Sequence, residues 1–226
     1  MLLGLFLFLA KASSLQAQTK VLNPIAEGAV DSPDVKVQRL GSFAGGQFTV
    51  GSSPDRLPLR SLRSLRFKLG LKYLREIIRD GYSMGAALSY INQTAAIDTE
   101  SDQKRVFDTL NYEKEMFRKS GLQVDYLHRI RITGYEVSFA AYVELGVHAA
   151  WFFNRRYIRE VSIADDQLER TEIRQFADMA PFQYGVSATM GYNQLALLYT
   201  FRLSDYFEEG AFPELPAHYL GLQIGL

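Results

Sequence analysis

The chain contains no cysteine. That excludes disulfide frameworks, cysteine-ligated zinc and a thiol nucleophile, and with them acylation at a lipoprotein cysteine. It also lacks net charge: 25 lysines and arginines balance 25 aspartates and glutamates. The basic footprint of a nucleic-acid-binding protein is therefore missing, and no nucleic-acid partner is expected. There are only three histidines, His128, His148 and His218. Paired-histidine metal motifs, glycine-rich phosphate loops and serine-elbow motifs are absent, and no cofactor or metal is expected. A mean hydropathy of −0.09 speaks against a bundle of transmembrane helices. It leaves a membrane β-barrel open, because barrel strands are only half apolar. What is present is a chain of 226 residues, 47% hydrophobic and 13% aromatic. That is enough for one domain with a core or a closed barrel.

Residues 2–10 read LLGLFLFLA, an apolar run too short to cross a bilayer as a helix. Small and polar residues follow up to Gln18. The order matches the apolar and cleavage regions of a secretory signal, so residues 1–18 are read as a signal peptide. No lysine or arginine precedes the run, and Leu15 is bulky for its place before the cut. A buried amino-terminal helix is the competing reading. Residues 19–39 are polar and mixed, with Pro24 and Pro33, and are read as a periplasmic leader or loop.

From residue 40 to 226 the dominant signal is period two, the mark of a strand. The closing HYLGLQIGL puts Leu220, Leu222, Ile224 and Leu226 on one face, and Tyr219, Gly221, Gln223 and Gly225 on the other. Residues 194–206 and 182–192 repeat the pattern around Tyr192-Asn193-Gln194, a hairpin connection. Residues 135–154 alternate an apolar set ending at Trp151 with Glu136, Ser138, Tyr142, Glu144, Gly146 and His148. A helix here would leave Glu144 within an apolar stretch, and the β-branched content favours a strand. Residues 124–133 alternate before the expected turn Thr133-Gly134. Residues 65–73 and 82–90 flank Asp80-Gly81, a hairpin signal. Alternation fails over 74–79. Glycines blur the weakest strand, at 40–51.

About eight strands result. Short connections alternate with longer ones at 52–64, 96–121, 154–181 and 207–217. The expectation is an all-β, antiparallel, up-and-down transmembrane β-barrel, with short periplasmic turns and long outer loops. A soluble sandwich would also alternate. Against it, the polar faces carry small residues and charges of both signs. The expected lumen cluster is Arg66, Lys68, Lys72, Arg129, Arg131 and Arg202 with Glu136, Glu144 and His148. A barrel this small is filled by its own side chains, so these charges must pair and have a structural role. Aromatic residues recur near strand ends on the apolar side: Tyr73, Tyr82, Tyr135, Trp151, Phe182, Tyr184 and Tyr192. They are candidate lipid-facing anchors, since aromatic side chains favour bilayer interfaces.

The stretch FQYGVSATMGYNQLALLYTFRLSDYF at 182–207 and the closing HYLGLQIGL resemble the small OmpA-like, or porin-family, outer-membrane barrels of Gram-negative bacteria. Members of that group usually finish on an aromatic residue, where this sequence has Leu226. The resemblance implies residence in the cell outer membrane, contact with outer-membrane lipid, and insertion by the barrel-assembly machinery. Some barrels of this kind trim or acylate lipid A, certain of them through a serine–histidine pair facing the lipid. His128 and His218 fall on the apolar face, but neither has an identifiable serine partner, so no catalytic residue is assigned. Glu144 and His148 are about 13 Å apart along a strand, too far for one metal ion. They are read as ordinary hydrogen-bonded lumen residues. The stretches 98–119 and 154–178 are densely charged. As loops they would be solvated surface, or would dock an envelope protein or surface ligand. The expected role is structural, adhesive or docking. A lipid A-modifying enzyme and a narrow solute channel are the alternatives.

Overall fold

The computed structural model describes residues 38–51, 59–60, 63–78, 81–97, 112–132, 141–163, 167–208 and 212–225. The expected signal, residues 19–37, the Thr133-Gly134 turn, Tyr135, Glu136 and most of the charged stretch from residue 98 lie outside them.

The described residues form nine strands. These are β1 (Gln38–Val50), β2 (Leu65–Ile78), β3 (Tyr82–Ile97), β4 (Tyr112–Arg131), β5 (Ala141–Ile163), β6 (Gln167–Arg174), β7 (Phe182–Tyr192), β8 (Leu195–Arg202) and β9 (His218–Gly225). Every pairing is antiparallel. Sequence neighbours pair along β1–β2–β3–β4–β5; β5 then pairs with β7, and β9 returns to β1. Eight strands thus close a ring, and β6 lies outside it, attached only to β5. Closure removes the free edges of the ring strands.

β7 and β8 show the alternation most plainly. In β7 the outward Phe182, Tyr184, Val186, Met190 and Tyr192 are exposed, while Gln183, Gly185, Thr189 and Gly191 are buried. In β8 Leu195, Leu197 and Tyr199 point out, and Ala196, Leu198 and Thr200 point in. Large apolar groups face outward and polar groups fill the interior, which is the reverse of a soluble sandwich. The 11 residues of β7 extend about 34 Å at the usual rise. At a tilt of about 40° they span about 26 Å.

The connections differ from the expectation. Many residues expected in the loops 96–121 and 154–181 are strand: 96–97, 112–121, 154–163 and 167–174. β4 begins at Tyr112, and β5 runs on to Ile163 before returning as β6. β5 uses Ala141–Trp151 to pair with β7 and Arg156–Ile163 to pair with β6. A bulge lies at Ser120/Gly121, near where β5 changes partner from β7 to β6, while β4 stays paired with β3 to Glu115. Outward side chains change there from Leu122 and Val124 to Arg118 and Lys114, and from Val147 and Trp151 to Asn154 and Arg156. With charges replacing apolar groups, the period-two signal disappears while the ladder continues.

Two other differences have local causes. β2 continues to Ile78 through most of the irregular stretch, and Leu74, which broke the pattern, is an inward apolar residue packed with Phe43, Ala87 and Leu127. β1 starts at Gln38, two residues inside the expected leader, and forms a full ladder with β2 despite its glycines. The connection at Asn193 is as expected, with φ 57°, a left-handed conformation that asparagine tolerates better than most residues.

Candidate functional site

The lumen holds the candidate site. Toward the short-turn rim, the Glu144 carboxylate accepts from Lys72 Nζ at 2.8 Å and from Arg129 Nε at 2.7 Å. Arg129 lies over the Tyr142 ring, 3.9 Å from its centroid. That ring fits because Gly191 stands beside it; a Cβ on Gly191 would collide with the ring. Above them, Lys68 Nζ bonds both oxygens of Asp125 at 3.3 Å. Gln123 Nε2 donates to Asp125 at 2.7 Å, and Arg66 Nη2 donates to Gln123 Oε1 at 2.6 Å. Lys68 and Lys72 rest their heads near the Phe43 ring. Phe43, Lys68, Lys72, Asp125 and Glu144 border a small cavity of about 20 Å³. Each of these ion pairs joins different strands, so the charges cross-link the wall. An unpaired buried ion would cost several kcal/mol, on the order of its effective desolvation penalty.

Toward the long-loop rim the chemistry changes. Lys119 is fully buried, and its Nζ donates to the backbone carbonyls of Tyr206 at 2.7 Å and Ala180 at 3.0 Å. It also sits 3.8 Å from the Tyr206 ring centroid. Arg202 donates to the carbonyls of Ser204 and Leu215, and to Glu214 at 3.1 Å. Glu214 in turn accepts from the N–H groups of Tyr206 and Phe207. Arg155 Nη1 donates to the Met179 carbonyl. Strand cations thus hold loop segments 175–181, 203–208 and 212–217 across the mouth. Beneath those segments Phe117, Tyr157, Phe176, Met179, Phe207 and Leu215 make an apolar plug. Burial pushes the Tyr206 phenol well above its ordinary range.

Of the expected lumen set, Arg66, Lys68, Lys72, Arg129, Glu144, His148 and Arg202 come together inside the ring. Arg131 shares the inward face of β4 nearer the short-turn end; Glu136 lies outside the described residues. The expectation that His148 is an ordinary hydrogen-bonded lumen residue fails at Nδ1, which is buried without a partner. Its ring packs against Gly185, where a Cβ would come within 2.8 Å of His148 Cε1. The expected cluster omitted Asp125, Lys119 and Glu214. Asp125 was visible by its parity with Arg129. Lys119 was hidden because its segment was read as loop, and Glu214 because a loop fold, not a strand pattern, delivers it.

The aromatic set points outward. Tyr73, Trp151, Phe182, Tyr184 and Tyr192 are exposed, and Trp151 pairs with Phe182 at one end of the β5–β7 ladder, while Tyr192 lies at the other. Tyr135 lies outside the described residues. Tyr82 is half-buried because its hydroxyl meets His128 Nδ1 and the two rings stack. The other outward histidine, His218, likewise meets the Tyr199 hydroxyl at 2.7 Å. The partner hydroxyl of each outward histidine thus belongs to a tyrosine. Among the described residues no cluster of three or more potential metal ligands occurs. Compared with known proteins, the chain matches no family model and no curated protein.

Proposed function

We propose that this protein is an integral outer-membrane β-barrel of the OmpA-like kind, non-catalytic, working as a structural or docking component of the envelope. The observation that carries this reading is the inside-out barrel. Around a closed ring of eight strands, Leu69, Leu88, Val124, Leu145, Met190 and Leu222 are all exposed, while the interior is ion-paired. Soluble monomers rarely expose contiguous apolar patches beyond a few hundred Å². In a bilayer the same surface is solvated by acyl chains, and a band of about 26 Å matches the roughly 25 Å apolar height of such barrels. The outward face of β9 is the part we assign to recognition by the assembly machinery. The hairpin of β4, β5 and β6 rises beyond the band with mixed charge, including Lys114 with Glu160 and Arg156 with Glu172. This is the surface we assign to an envelope partner or surface ligand.

A solute channel fits less well, because salt bridges cross the lumen and the plug covers its mouth. The deciding experiment is refolding into detergent followed by electrophoresis with and without boiling. A heat-dependent mobility shift is expected. Solubility without detergent, with no shift, would overturn the membrane reading.

A further inference from the structure

Midway along the lumen, between the ion-paired chamber and the plug, four buried polar groups converge with a nitrogen left unpartnered. They are Arg66 Nε, Arg202 Nε, Gln183 Nε2 and His148 Nδ1. Their residues are 3%, 4%, 5% and 5% exposed. Three strands bring the last three together: Gly185 on β7 pairs with both His148 on β5 and Arg202 on β8, and Gln183 is the next inward residue of β7. Arg66 reaches in from β2, held at its other end by Gln123.

Space lies beside them. Lys68, Gly146 and Ser187, the inward residues next to Arg66, His148 and Gly185 respectively, border a cavity of about 20 Å³, room for about one water-sized particle.

Charge is also out of balance here. Arg66, Lys68, Lys119 and Arg202 converge on this half of the lumen. Among the described residues only two carboxylates bond any of them: Asp125 on Lys68 and Glu214 on Arg202. Lys119 has carbonyls, and Arg66 has an amide. Cations taken out of water need a counter-charge, and unsatisfied buried donors need an acceptor. Water would supply the acceptor but not the charge.

We propose that Arg66, Arg202, Gln183 and His148 form a binding site for one small monovalent anion, of the size of chloride, inside the barrel. Each group can donate one N–H, and an anion of that size accepts from several donors at once. A larger oxyanion such as sulfate would have to displace the side chains that border the chamber.

The test uses the full chain refolded in a nonionic detergent. Urea unfolding is followed at constant ionic strength while sodium chloride replaces sodium gluconate, an anion too bulky to enter. The midpoint is expected to rise with chloride and then level off, as it does for a ligand bound only by the folded state. In Arg66→Gln most of that rise should be lost, whereas Lys114→Gln, on the outer hairpin, should keep it. A midpoint indifferent to chloride, or an equal rise in Arg66→Gln, overturns the proposal. Crystals of the unaltered chain grown in bromide provide a check that needs no variant. An anomalous peak within hydrogen-bonding distance of Arg66 Nε and Arg202 Nε supports the site. A tier filled by water, with no peak, refutes it.

Discussion

The two halves of the lumen meet the same requirement in different ways. Near the short-turn rim, cations on the strands are matched by carboxylates on other strands: Lys72 and Arg129 by Glu144, and Lys68 by Asp125. Near the long-loop rim, Lys119 and Arg155 donate to backbone carbonyls, and Arg202 to carbonyls and a carboxylate, all borne on the loop segments. The first half is complete once the ring closes. The second is complete only when the loops fold in. The wall and the mouth should therefore respond separately to perturbation.

The largest effect is expected in the lower half. Glu144→Ala strands both Lys72 and Arg129, and removing one partner from a buried pair costs about 3–5 kcal/mol. Urea unfolding in detergent measures it. A loss well under that, near the level of an exposed pair, would show that the lower network is not what braces the wall.

Lys119→Met comes next and should act on the mouth alone. Two hydrogen bonds to carbonyls are lost, each worth about 0.5–1.5 kcal/mol net. Limited proteolysis should then cut within 203–217, while the ring keeps its heat-resistant mobility. Unchanged resistance of that segment would remove the distinction between wall and mouth.

The smallest effect sharpens the comparison by pH. In the unfolded chain a tyrosine ionises near pH 10; in the plug, burial holds the Tyr206 phenol well above that. Below about pH 10 both states are protonated and stability is whole. As pH rises further only the unfolded chain loses its proton, so stability falls. Tyr206→Phe should remove that alkaline loss. At neutral pH it should change stability by less than about 1 kcal/mol, because the buried hydroxyl has no partner. Urea midpoints between pH 8 and about pH 11 would reveal it. An identical alkaline decline in the variant would place the loss elsewhere.

Much of the ring was legible in the residue order, and the reason is local. A side chain alternates faces on every strand, so the parity of Leu195, Leu197 and Tyr199, or of Glu144 and His148, assigns each to a face before any partner is known. The same rule put Arg66, Lys68, Lys72 and Arg202 on one side. It failed wherever the contrast between faces failed. Leu74 is apolar but inward, so it read as a broken strand. Arg156 and Lys114 are charged but outward, beyond the apolar band, so their strands read as loops. The omission of Lys119 from the site followed from that second failure.

Sequence alone determined the strands, their two faces and the mixed charge of one of them, because period two is a property of the backbone and needs no neighbours. Only the tertiary structure decided which cation meets which carboxylate. Those partners stand tens of residues apart, as Lys72 and Glu144 do, and meet through register and ring closure. It also decided that 175–181, 203–208 and 212–217 fold back over the mouth, since that depends on Lys119, Arg155 and Arg202 finding carbonyls no pattern announces. And it alone left a nitrogen on each of Arg66, Arg202, Gln183 and His148 buried without a partner, because burial inside a closed ring is a fact of three dimensions.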